Sequence, residues 1–107
     1  MAPVDVQKLL GMLGLARRAG CLAMGFTAVA SQVRRGEAPL VITASDIGSS
    51  LKGKVSNWEP LRGTFPNLLT GEELARTLGR DKLSVVGVSD AGFVKGIEKL
   101  VTGGNGS

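Results

Sequence analysis

Gly25, Phe26 and Thr27 open a helix directly after a short apolar run ending at Met24, and no acid stands in that first turn. The first N–H groups of a helix have no intrahelical partner and carry the positive end of its dipole, so such a start attracts phosphate or another anion. The surrounding stretch, Ala19 to Asp46, reads AGCLAMGFTAVASQVRRGEAPLVITASD. It supplies a short strand, this glycine-opened helix, a basic helix end, and a second strand that closes on an acid. Among the nearby basic residues, Arg17, Arg18 and Arg35 are the best candidates for phosphate contacts. The same arginines also suit helix C-termini, where cations are favoured without any ligand.

Other chemistry is mostly absent. The chain has one cysteine and no histidine, which excludes an internal disulfide, histidine acid–base work and, in practice, structural zinc. No GxxxxGK[ST], GxGxxG or HExxH pattern occurs. Cys21 has no histidine to activate it and reads as a buried thiol of the first strand. Ser31, beside Gln32, reads as an ordinary helix residue. Asp46 and Asp90 each follow a strand and precede a helix, so capping is the simpler role for both. No carboxylate pair, cofactor or metal is expected, and the reading is non-enzymatic. Aromatics make up 4% of the chain without a tyrosine, so a ring-lined RNA-binding sheet is not expected. Phe93 reads as core, and Trp58 as a cover over the third helix, an exposed contact being the alternative.

At 107 residues the chain makes one domain, able to bury roughly two-thirds of its unfolded surface. The net charge is +4, and its distribution is uneven. Up to Arg62 there are eight basic residues against four acidic ones, whereas from Gly63 onward the two are equal at five each. The excess belongs to the part holding the candidate site, as expected where a polyanion is met. The N-terminus does not read as a secretory signal and no apolar run is long enough to span a bilayer, so a cytoplasmic, membrane-free protein is expected.

The elements that must position this site alternate. Asp5 caps a first helix whose Val6, Leu9, Leu10, Leu13 and Ala16 share a face, and Gly20 ends it. Gly11 and Gly14 would let another backbone approach this helix closely. Cys21–Met24 is a strand, Phe26–Arg35 a helix stopped by Gly36, and Leu40–Thr43 a strand covered on both faces. A weak helix over Ser49–Asn57 and a short strand at Gly63–Phe65 follow. Thr70 and Glu73 form a capping box for a helix ending at Gly79. Leu83–Val88 is the strand richest in β-branched residues, and Ser89 or Asp90 caps the last helix. This order implies a three-layer α/β/α sandwich around a small mixed sheet of about four strands. Residues 1–101 would form the domain and 102–107 a disordered tail.

With these elements placed, GLARRAG (Gly14 to Gly20), MGFTAVASQVRRGEAPLVITASD (Met24 to Asp46) and GEELARTLGRDKLSVVGVSDAGF (Gly71 to Phe93) resemble the bacterial YlxQ-like branch of the kink-turn-binding ribosomal protein superfamily. The large-subunit proteins called "seven-Ae" and "thirty-e" are its relatives. The resemblance covers nearly all of the chain except Ser49 to Leu69 and the tail. It implies the same sandwich and RNA binding by the start of the second helix and two loops. Those map to Met24, Gly25, Phe26 and Thr27, to Asp46 and Ile47, and to Val88, Ser89, Asp90 and Ala91.

The resemblance also shows departures. Where kink-turn binders carry asparagine, glutamate and lysine after the helix-opening glycine, this chain has Thr27, Ala28 and Ser31. Ala28 cannot hydrogen-bond a base edge, Ser31 carries no charge, and Asp90 repels phosphate. Each lost base contact removes about 1–3 kcal/mol of discrimination. A non-catalytic, monomeric binder of structured RNA is therefore expected, with looser reading of sequence, associated with ribosomes or translation factors. The alternatives are a protein-interaction adaptor on this fold and an RNA-targeting component of a modification enzyme.

Overall fold

Helix and strand alternate as α1 (Val6–Arg18), β1 (Leu22–Met24), α2 (Phe26–Arg34), β2 (Leu40–Thr43), α3 (Ser49–Ser56), β3 (Gly63–Phe65), α4 (Gly71–Leu78), β4 (Val85–Val88) and α5 (Ala91–Val101), in a computed structural model that describes residues 5–102. The strands form one mixed sheet in the order β1-β4-β2-β3. β3 runs parallel to β2, while β4 is antiparallel to both β1 and β2. The two central strands are buried at every position and the two edge strands only partly.

Strand alternation sorts the core into two layers. Leu40, Ile42, Val86 and Val88 meet Leu9, Leu13, Leu74, Leu78, Val94 and Ile97 of α1, α4 and α5. On the other face Val41 and Val85 meet Val29 of α2 and Val55 of α3. The fold is thus the three-layer α/β/α sandwich that the alternation implied.

Three helix starts are capped as their sequences dictate. The Asp5 carboxylate accepts from the Lys8 N–H at 3.1 Å, and that of Asp90 from the Phe93 N–H at 3.1 Å. The Thr70 hydroxyl accepts from the Glu73 N–H at 3.1 Å while the Glu73 carboxylate accepts from the Thr70 N–H at 2.8 Å. Thr70→Ala removes half of this box and should cost about 1 kcal/mol of stability, read as a lower urea midpoint at unchanged slope.

Several local expectations are corrected. β1 starts at Leu22, not Cys21, because the Cys21 N–H is spent on the Ala16 carbonyl at 2.8 Å, closing the end of α1. Cys21 is accordingly half-buried rather than a core thiol. β4 starts at Val85, yet Leu83 is still buried and the Ser84 carbonyl accepts the Ala44 N–H at 2.7 Å. Gly11 and Gly14 face open space, and the close approach to α1 comes instead through Gly96, where a Cβ would run into the Met12 side chain. Thr102 caps α5. Residues 103–107, expected as a disordered tail, lie outside the described residues.

Candidate nucleic-acid interface

Gly25 carries the geometry of the site. Its φ of 92° and ψ of 162° are open to glycine and strained for any other residue. That conformation lets the Gly25 N–H donate to the Val85 carbonyl at 2.8 Å, which fixes the start of α2 against the N-terminal end of β4. Beyond it no side chain caps α2 and no acid stands in its first turn. Thr27 is exposed there, and Met24, Gly25, Phe26 and Ala28 are half-buried.

Strand direction decides what else reaches this end of the sheet. Met24 pairs with Val86 and Thr43 with Val85, so the exits of β1 and β2 share an end with the entrance to β4. Asp46 and Ile47, just beyond β2, are therefore brought to the Gly25 end. Asp46 does not cap α3; its carboxylate accepts the Gly71 N–H at 2.9 Å and so caps α4. Ile47 is half-buried against the main core.

The loop after β4 lies elsewhere. Val88 pairs with Leu22 and Leu40, at the opposite end of the sheet. Val88 is fully buried, and Ser89, Asp90 and Ala91 continue away from Gly25. Ser89 donates its hydroxyl to Glu37 at 3.0 Å. The structure thus separates Val88, Ser89 and Ala91 from the start of α2, with which the resemblance had grouped them. Ser31 and Arg35 belong to that far end too. The Arg35 guanidinium donates to the Ser31 hydroxyl at 2.8 Å and to the Glu37 carboxylate at 2.7 Å. These bonds from Arg35 and Ser89 hold the Glu37 carboxyl below its ordinary pKa. The link therefore persists into mild acid and is lost as the pH falls through that lowered value.

In place of the loop after β4, the loop before it comes to the Gly25 end. Arg80, Asp81, Lys82, Leu83 and Ser84 line an open groove of about 620 Å³ together with Asp46, Gly71, Glu72 and Arg76. Arg17 and Arg18 end α1 just before β1 enters opposite Val88, so they belong to the far end of the sheet, and the Arg17 guanidinium lies there 4.0 Å from where a Cβ on Gly79, at the end of α4, would sit. Arg18 is exposed in the last turn of α1. Cations also arrive from α3, since the Lys54 ammonium lies 5.8 Å from the centre of the Phe26 ring. Lys54, Arg80 and Lys82 were not among the residues singled out in the sequence. The signal that would have found them is the antiparallel entry of β4, which turns its preceding loop toward Gly25.

Among the described residues no group of three or more histidines, cysteines or acids could hold a metal ion, and no helix is long and apolar enough to cross a membrane. The site can offer backbone donors, cations and apolar surface to an anionic partner.

No protein-family model matches the chain. It is 30% identical over 99 residues to the RNA-binding protein YlxQ of Enterococcus faecium, covering 91% of this chain and 94% of that protein. Its fold is similar to that of a Bacillus halodurans C protein of unknown function, with a TM-score of 0.75 and 32% identity over 89% of this chain and 97% of the other. The Giardia lamblia 15.5kD RNA binding protein shares the fold at a TM-score of 0.60 and 19% identity, over 94% of each chain. The chain belongs to the YlxQ-like branch of the kink-turn-binding ribosomal protein superfamily.

Proposed function

We propose that this protein binds structured RNA without catalysis, as a cytoplasmic monomer associated with the ribosome or translation factors. The contact surface would be the start of α2 with the loops after β2 and before β4. The observation that supports it most is the bare first turn of α2, which has no side-chain cap and no acid of its own. The Enterococcus faecium relative, an RNA-binding protein, supports the same reading. Lys54, Arg80 and Lys82 would add long-range attraction, tempered by Asp46 and Asp81.

A salt titration tests it. Each phosphate neutralised releases counterions, so binding to a fluorescein-labelled RNA hairpin should weaken with a log–log slope of about −0.9 per contact. Roughly three contacts give a slope near −3. A flat response, or no binding, favours the adaptor reading instead.

A further inference from the structure

We propose that two copies of this chain pair edge to edge through β1, joining their sheets into one, and that RNA and the second copy compete for the same side of α2. The pairing stands on its own. The competition rests on the RNA-binding reading, in which the RNA-bound form is the monomer.

β1 is an end strand, paired only with β4. The phase of that ladder is set by the Gly25 N–H, which donates to the Val85 carbonyl beside the Met24–Val86 pair. Residues of an antiparallel strand turn their N–H and C=O groups alternately to either side. Gly25 and Ala23 therefore face β4, while Leu22 and Met24 face outward with no strand beyond them. From Cys21 to Val33 the chain has no charge and no proline, two of the devices that keep an open edge from pairing. The opposite edge, β3, is bracketed by Arg62 and Pro66.

The free edge is complementary to itself. With a two-fold axis at Ala23, Leu22 stands opposite Met24 of the second copy, and Met24 opposite Leu22 of the second copy. Each of these pairs exchanges both its backbone hydrogen bonds. Ala23 meets its own copy at the close, non-bonded position, where a small side chain fits. Leu22 and Met24 are half-buried against the main core, and pairing covers what they leave exposed.

The helices above the sheet agree with this register. α2 packs on β1 and β4 alike, so its axis lies about half a strand spacing inside the edge. Strands about 4.8 Å apart then set the two α2 helices about 10 Å apart, the distance at which helices pack. Ala28, Ser31 and Arg35 of α2 line an open groove of about 450 Å³ with residues 20–23. Ala28 and Ser31 are small enough for that approach, and they stand where kink-turn binders carry glutamate and lysine. The two helices run antiparallel across the axis. Glu37, just beyond the end of α2, thus comes toward the uncapped helix start of the second copy, where negative charge is favoured.

Sedimentation velocity should show the mass doubling as the free protein is concentrated, and adding an RNA hairpin should return it to a complex with a single chain. Ser31→Lys sets like charges across the axis and should keep the protein monomeric while hairpin binding persists. For the register, the double variant Cys21→Ser, Ala23→Cys should form an interchain disulfide under oxidised glutathione, because a non-bonded antiparallel pair lies within disulfide reach. The parent should not, since its two Cys21 residues lie roughly 13 Å apart along the strands. A mass that stays that of one chain overturns the pairing, and a dimer without the Ala23→Cys disulfide overturns β1 as its site. A dimer that stays intact with the hairpin bound removes the competition. No hairpin binding at all overturns the RNA reading and the competition with it, while a doubled mass still upholds the pairing.

Discussion

Thr27→Glu is expected to lower RNA affinity by roughly a hundredfold while leaving the fold as stable as before or slightly more so. The two effects have opposite signs because the same feature produces both. Thr27 is exposed in the first turn of α2, where the helix dipole favours negative charge. A glutamate there should add about 0.3–1 kcal/mol to stability. The same carboxylate occupies the position that a phosphate would take and repels it, a juxtaposition worth several kcal/mol. Gly25→Glu would be the poorer test, because at φ 92° any side chain strains the backbone by about 1–3 kcal/mol. Loss of binding there could report misfolding. Arg35→Ala serves as the contrasting control. Its guanidinium is held by Ser31 and Glu37 at the far end of α2, so affinity should change less than about threefold, the scale of one exposed charge. Thermal melts and RNA anisotropy on the three proteins decide the matter. A Thr27→Glu protein that melts normally and still binds places the contact elsewhere.

The start of α2 was legible in the sequence because its signals are local. A glycine after an apolar run, no acid in the next turn, and valines four residues apart are all read within one window. The capping box at Thr70 and the apolar run Leu40–Thr43 were legible for the same reason. What shares an end of the sheet with Gly25 was not. If β1, β2 and β4 all ran parallel, the loops following them would lie together, and Ser89 to Ala91 would flank Gly25. Antiparallel β4 reverses that, and strand direction is set by non-local pairing that leaves no mark in four residues of valine and glycine. Asp46 is a similar case. Its position between β2 and α3 suggests a cap for the next helix, yet it caps α4 from 25 positions away.

Distance along the chain also hid the aromatic pair. Phe26 and Trp58 read separately as a helix-opening residue and a cover for α3, and their contact depends on α2 and α3 lying on the same face of the sheet. Gln32 was missed for a related reason. A polar residue three places after Val29 looks solvent-facing by type, but it is buried over the sheet. Its amide nitrogen donates to the Gly87 carbonyl at 3.4 Å, and its Oε1 has no partner among the described residues. The space for it exists only because the facing residue of β4 has no side chain.

That pairing of Gln32 with Gly87 carries the largest stability effect expected outside the main core. Along β4, Val85 and Gly87 face α2 while Val86 and Val88 face the other layer. The β-branched rule would put valine at position 87 as well. A Cβ at Gly87 would collide with the Gln32 side-chain oxygen and sit 3.1 and 3.3 Å from the two Val29 methyl groups. Gln32 can swing its amide aside, but Val29 is stiff and fully buried. Gly87→Val should therefore force α2 off the sheet and cost about 2–3 kcal/mol. In a domain of this size that is a fall in melting temperature of roughly 10 °C or more. Gly87→Ala should cost less, and Val29→Ala should relieve part of it. The double variant is then more stable than the sum of the two single changes predicts, by at least 0.5 kcal/mol. Urea titrations of the four proteins measure that coupling. If Gly87→Val is as stable as the parent, α2 is not seated on the glycine.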